Sequence, residues 1–300
     1  MRFSATELRF QLPGFAGTNN VQDAKRLNGP VVGNPSVAPE SAMISNFDIT
    51  DTKSAVTRDG NTKVYTGTPH SLDPNGSGYF VETTFKLLLP TYSAVSLCSL
   101  LAPTLPMSYA KCNYLTVCSN GVDLFMAQSN TIMQFMAPTA QFKVPILPAQ
   151  HVAFFNRTLY YAVGNVLYPS DTDNIEQSDT RAPTFVFNAP ITMVMPLDNG
   201  IVVGADKVYW LAGQVPEELT SLGDGYDGTA VAGTGVVFDA SLFGGSGKIG
   251  MFTANNGICL CTNSGQIQNL TLNKIGFTAQ QQGAAIIRKK NGCNQYLTWV

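Results

Sequence analysis

Charge is scarce in this sequence. Lys and Arg number 18 and Asp and Glu 20 in 300 residues, 13% of the chain, against about 25% in an ordinary globular domain. The net charge is −2, no run of five Lys or Arg occurs, and the densest basic cluster is Arg288-Lys289-Lys290. A protein that grips nucleic acid by neutralising phosphates needs a basic stripe, so the charge balance argues against that class. The short cluster reads as a solvated hairpin flank. A surface so poor in Lys and Glu is either decorated with Ser, Thr, Asn and Gly or covered by other subunits.

Catalytic residue types are equally sparse. Only two histidines, His70 and His151, are present, which limits any Ser/His/Asp or Cys/His constellation, and no G-x-S-x-G elbow exists. Gly244-Gly245-Ser246-Gly247-Lys248 lacks the spacing of a phosphate loop, since Ile249 follows the lysine, and reads as a flexible hairpin. With Trp210 and Trp299 as the only tryptophans, the Ser-Asp-Gly-Trp box of sialidases is absent. A pair of carboxylates meeting at the centre of the fold stays open. The sequence therefore predicts no enzyme.

None of the six cysteines, Cys98, Cys112, Cys118, Cys259, Cys261 and Cys293, forms a CxxC pair. Zinc and dithiol chemistry are thus not indicated. Cys259 and Cys261 lie two apart on an expected strand and share a face, so they do not bridge each other. Buried free thiols assembled in a reducing cytoplasm are expected. Asp224, Asp227 and Asp239 fit no EF-hand, and Asp171, Asp173, Asn174 and Glu176 read as Asx turns. No metal and no cofactor is expected. No basic-then-apolar leader follows Met1 and no apolar run reaches membrane-spanning length, so neither a signal peptide nor membrane insertion is expected.

What the chain has is turn chemistry and short apolar runs: 27 Gly, 17 Pro and 44% hydrophobic residues. The informative stretch is 151–171, HVAFFNRTLYYAVGNVLYPSD. Runs 151–155 and 158–162 flank Asn156-Arg157, a pair suited to a type I′ turn, and 166–168 follows Gly164-Asn165. Three short strands joined by tight turns make a meander, the unit of radial all-β folds. Similar punctuation recurs at 201–211 and 258–270.

Residues 61–300 are thus expected to form an all-β propeller of about five blades, repeating every 40–50 residues or so. The first blade takes 63–65, 79–85 and 86–89, with 94–101 leading inward. The second takes 114–118, 124–127 and 131–136, turning at Asn120-Gly121 and Ser129-Asn130. The meander with 184–187 gives the third, and 191–195, 201–203 and 208–211 the fourth. Segments 248–253, 258–261 and 267–270 give the fifth. Runs 284–288 and 295–300 either close the ring with amino-terminal strands or complete the first blade, and 215–234 is an inter-blade loop. Residues 1–60 carry few apolar positions and read as an extended arm for docking and assembly, lying across the domain or reaching a neighbour. Within it Phe47 and Ile49 alternate with Asn46, Asp48 and Thr50, as in a strand with one buried face.

Segment 14–23, GFAGTNNVQD, continuing through Arg26-Leu27, resembles the start of a group of tailed-bacteriophage virion proteins. So does 46–52, NFDITDT, followed by Arg58-Asp59-Gly60, and so do the meander around Asn156 and the passage 257–271. The chain departs from that group at Val56-Thr57-Arg58, where the group is more basic. The resemblance implies a tail or neck component, by analogy with the propeller-built nozzle proteins of short-tailed phages. It further implies a homo-oligomeric ring bound to other tail or neck proteins, with DNA passing nearby without specific binding. Assembly and docking contacts then fall to Phe15, Asn19, Asn20, Asp23, Arg26, Phe47, Asp48 and Asp51. A receptor- or glycan-binding propeller projecting from the tail or collar is the alternative.

Overall fold

The computed structural model describes residues 47–49, 55–57, 65–221, 223–243, 246–272, 281–290 and 293–300. Those residues are almost entirely β. A short antiparallel pair, β1 (Phe47–Ile49) and β2 (Ala55–Thr57), comes first. Five antiparallel four-stranded sheets follow in chain order.

Blade 1 is β3 (Ser71–Leu72), β4 (Tyr79–Val81), β5 (Thr84–Leu88) and β6 (Ala94–Ser99). Blade 2 is β7 (Ser108–Cys112), β8 (Leu115–Ser119), β9 (Leu124–Gln128) and β10 (Thr131–Met133). After β11 (Lys143–Pro145), blade 3 comprises β12 (His151–Phe155), β13 (Thr158–Val163), β14 (Val166–Pro169) and, beyond β15 (Gln177–Asp179), β16 (Phe185–Val186). The strands β11 and β15 pair with each other. Blade 4 is β17 (Met193–Leu197), β18 (Gly200–Gly204), β19 (Val208–Ala212) and β20 (Thr220–Ser221). Blade 5 is β21 (Val236–Asp239), β22 (Lys248–Ala254), β23 (Gly257–Cys261) and β24 (Ile267–Asn269), with a 3-10 turn at Ala240–Phe243. A seven-residue hairpin, β25 (Ala284–Lys290) with β26 (Cys293–Trp299), completes the order.

The expected propeller of about five blades is therefore what forms, with the last hairpin standing in a sixth position. Several details differ from the sequence reading. The innermost strand of blade 1 is β3, while 94–101 runs to the outside, because the short Ser-Leu pair lies at the axis and the longer, more exposed β6 at the rim. The inner strands β7 and β21 and the outer strand β20 were not anticipated. Residue 65 of the expected 63–65 strand is not in a strand, and 63–64 lie outside the described residues.

Blades pack face to face, and alternation within each strand decides which neighbour a side chain meets. In β8, Val117 turns to blade 3 with Val152, Leu159 and Tyr161, whereas Cys118 turns to blade 1 with Tyr79, Val81 and Phe85. In β13, Leu159 and Tyr161 meet blade 2, while Tyr160 and Ala162 meet Ile201 and Val203 of blade 4. In β18, Val202 faces the opposite way, towards Phe252 and Cys259 of blade 5. Middle strands are buried on both faces, which is why they read as unbroken apolar runs.

The turns match their chemistry. Asn156 and Arg157 have φ of 43° and 70°, the left-handed pair a type I′ turn requires. Gly121 (φ 89°) and Ser129 (φ 51°) turn at the expected places. The glycine stretch before Lys248 connects β21 to β22, with Asp239 opposite Lys248; Gly244 and Gly245 themselves lie outside the described residues.

Candidate functional site: the axial cavity

The innermost strands surround a cavity of about 1170 Å³ on the propeller axis. Residues from β3, β7, β12, β17, the approach to β21 and the β25–β26 hairpin line it. Both histidines of the chain are there, with Ser108, Gln150, Thr192 and Gln282. Among the described lining residues none is Asp, Glu, Lys or Arg. A carboxylate pair for glycoside hydrolysis, left open by the sequence, is thus not assembled there by the described residues.

His70 is committed to structure. Its Nε2 lies 2.7 Å from the Pro103 carbonyl, which can only accept, so Nε2 carries the proton. Ser71 Oγ, 3.0 Å from Nδ1, then donates to the ring while accepting from Met107 N at 2.9 Å. His151 opens β12 and keeps part of its surface towards the cavity. Desolvation by its neighbours lowers its pKa to about 4, opposed by the Ile191 backbone. A neutral imidazole can act as a base, but no carboxylate from the described lining is present to orient it, and no triad forms among the described lining residues.

One rim of the cavity is a polar knot. Asn120, Gly121 and Val122 line it, and the adjacent Asp123 is buried. Its carboxylate accepts from Leu101 N (2.8 Å), Ala102 N (3.0 Å) and Asn120 Nδ2 (3.0 Å). Asn120 Oδ1 in turn accepts from Val122 N and Asp123 N, and its Nδ2 donates to the Ala102 carbonyl. The β8–β9 turn is thereby tied to the chain leaving blade 1. The knot fixes the spacing of two blades and leaves few donors for a ligand.

The other chemistry-bearing candidates are absorbed into the fold. Asp227 pairs with Lys207 at 2.7 Å, and Asp239 accepts from Ser241 N at 2.8 Å. Asp171 pairs with Lys143 at 2.7 Å, and Asp173 with Arg157. Among the described residues no three His, Cys, Asp or Glu converge as a metal set. Cys112, Cys118, Cys259 and Cys261 are buried and free, and Cys98 is half-buried and free. Burial pushes the Cys112 and Cys261 thiols up to about 12 and Cys118 well above its usual value. Such thiols are poor nucleophiles at neutral pH.

Of the residues expected to dock, Phe47 and Asp48 lie in β1, opposite Thr57 and Val56 of β2. Phe15, Asn19, Asn20, Asp23, Arg26 and Asp51 lie outside the described residues. Sequence reasoning missed the axial role of His70-Ser71 and the knot at Asn120-Asp123. An Asn-Gly-x-Asp tetrad between two apolar runs was the available signal for the latter.

No protein-family model matches the chain. No curated protein matches it either. Solved structures do align at low identity. The designed Ika8 protein aligns with a TM-score of 0.48 and 14% identity, over 86% of this chain and 81% of that one. The Neurospora crassa Pan2 WD40 domain gives 0.43 and 9%, over 72% and 67%. The WD40 β-propeller domain of Doa1 gives 0.42 and 11%, over 74% of each. The likeness is one of fold, and the blades described above stand on their own pairing.

Proposed function

We propose that this chain is a structural subunit of a tailed-phage virion, a propeller of the tail or neck that docks through its amino-terminal arm. The observation that carries the non-catalytic reading is the axial cavity, where no described lining residue carries a carboxylate, ammonium or guanidinium. Among its described lining residues such a cavity has no fixed charge to hold a phosphate and no carboxylate to orient its histidines for proton transfer. The virion assignment rests on the resemblance of 14–27, 46–60, the meander and 257–271. In this reading several copies form a ring, and DNA passes along the wall they build. A wall of low charge suits that use, because each neutralised phosphate would add affinity and drag. A cavity of 1170 Å³ fits a small molecule or a stretch of chain, which supports a reading in which DNA passes between subunits and outside the bore of any one. A glycan-binding propeller would need a pocket of aromatics and carboxylates, and the axial cavity supplies no carboxylate from its described residues.

Immunogold labelling of assembled particles checks the assignment. Label at the tail or neck is expected, and particles that lack the chain would overturn it. Removing residues 2–40 is expected to abolish incorporation; normal incorporation would contradict docking through the arm.

A further inference from the structure

The axial cavity presents carbon to whatever enters it. Leu72, Leu105, Val122, Ile286 and Trp299 all line it and all stay exposed, Leu72 by 59%, Ile286 by 56% and Trp299 by 74%. They stand on β3, on the approach to β7, in the β8–β9 turn and on the β25–β26 hairpin, so the fold gathers them from distant parts of the chain. Single apolar side chains scattered over a surface need no explanation, but several gathered in one concavity mark a binding site.

Most polar side chains between them are already spent on the wall. Ser108 Oγ accepts from Val152 N at 3.0 Å, Thr192 Oγ1 donates to the Ala230 carbonyl at 2.8 Å, and Gln150 Oε1 accepts from Gly164 N at 3.1 Å. His70, Ser71 and Asn120 are held by the bonds given above. His151 is different. It lines the cavity with no side-chain partner among the described residues, and its hydrogen-bonding neighbour is the Ile191 backbone. A neutral imidazole has one N–H and one bare nitrogen. With the N–H turned to the Ile191 carbonyl, the bare nitrogen is left as an acceptor beside an apolar wall.

We propose that the axial cavity binds an uncharged small molecule with an apolar body and a hydroxyl or N–H donor, the body lying against Leu72 and Trp299 and the donor bonding to His151. Ions are turned away, because no described lining residue carries a charge to repay the water they would lose. A sugar, with hydroxyls all round, would leave most of them unmet. A space of 1170 Å³ suits a drug-sized molecule. This binding is a property of the single chain and does not depend on the virion reading.

Equilibrium dialysis of the purified full chain at neutral pH tests it with three probes that share one ring system: naphthol, its methyl ether methoxynaphthalene, and naphthalenesulfonate. Naphthol is expected to bind saturably, at least about tenfold tighter than the sulfonate and about fivefold tighter than the ether, which cannot donate. His151→Phe is expected to keep the affinity for the ether and to lose the preference for naphthol. Leu72→Ala and, separately, Trp299→Ala remove opposite parts of the wall, and each is expected to weaken both neutral probes at least about threefold. Both positions are exposed, so thermal melts should match the native chain, and either variant serves if the other unfolds. No saturable uptake of naphthol below about a millimolar overturns the proposal, as does a sulfonate that binds as tightly as naphthol. Affinities unchanged by both alanine variants place the probe elsewhere, and a naphthol preference that survives in His151→Phe removes the acceptor; either result also overturns it.

Discussion

Two buried polar side chains show how differently polar groups are treated inside this fold. The Asp123 carboxylate has three donors on it, two of them backbone amides from the chain leaving blade 1. Asp123→Ala strands those donors in a closed environment, and a loss of about 2–4 kcal/mol is expected from a denaturant titration. Tyr160 OH, in contrast, is buried between blades 3 and 4 with no partner among the described residues. Tyr160→Phe removes an unsatisfied group and keeps the ring, so stability should hold or rise by up to about 1 kcal/mol. A clear loss would mean that a water serves the hydroxyl. His151 supplies the pH dependence. The folded ring titrates near 4 and the unfolded ring near 6.5. Between those values the unfolded chain binds a proton that the folded chain refuses, so stability rises with pH through the window and falls on acidification. Above pH 6.5 the ring is neutral in both states and adds no slope. Because the cavity admits water, the expected cost from pH 7 to 4.5 is about 1–2 kcal/mol, less than the full shift. Comparing thermal melts of the native chain and His151→Asn isolates it: the variant should lose that part of the acid sensitivity.

At the scale of elements, the strands that could be read from the sequence are those buried on both sides. Runs such as Leu159–Ala162 and Ile201–Val203 are continuous because successive residues serve two different interblade cores. The innermost strands were harder. β3 has two residues, and β7 reads SYAKC; one edge of such a strand borders the axial cavity, so apolar pattern weakens there. The cavity itself was not legible, since it is made by residues from many separated stretches of the chain. Its neutrality was foreshadowed only by the overall shortage of charge. The hairpin turn was legible because Asn-Arg leaves few alternatives between two apolar runs. Arg157 holds φ of 70°, which costs a non-glycine residue about 1 kcal/mol. Its pairing with Asp173 is exposed on both sides and returns little. Arg157→Gly is therefore expected to raise stability by about 0.5 kcal/mol, read as a higher denaturant midpoint; a drop of more than 1 kcal/mol would show that the ion pair outweighs the turn.

For the whole molecule, the shortage of charge acts at the surface. Large apolar side chains stand out on several blades: Leu101 is 84% exposed, Tyr114 74%, Met136 71% and Val186 70%. Single exposed apolar residues are common, but here few charges stand between copies to oppose contact, and net charge is near zero. The oligomer proposed above therefore predicts that the purified chain associates. Sedimentation velocity is expected to show a sedimentation coefficient that climbs as concentration rises through the micromolar range. The double variant Leu101→Lys, Met136→Lys alters only solvated positions, so its folding stability should stay within about 0.5 kcal/mol of native for each change. Association should weaken at least tenfold, because each lysine must be stripped of water to re-form the contact. If the variant sediments like the native chain, these two side chains lie outside the interface. If the native chain itself sediments as a monomer at every concentration, the low charge serves solvent-facing Ser, Thr, Asn and Gly, and association through these apolar side chains is overturned.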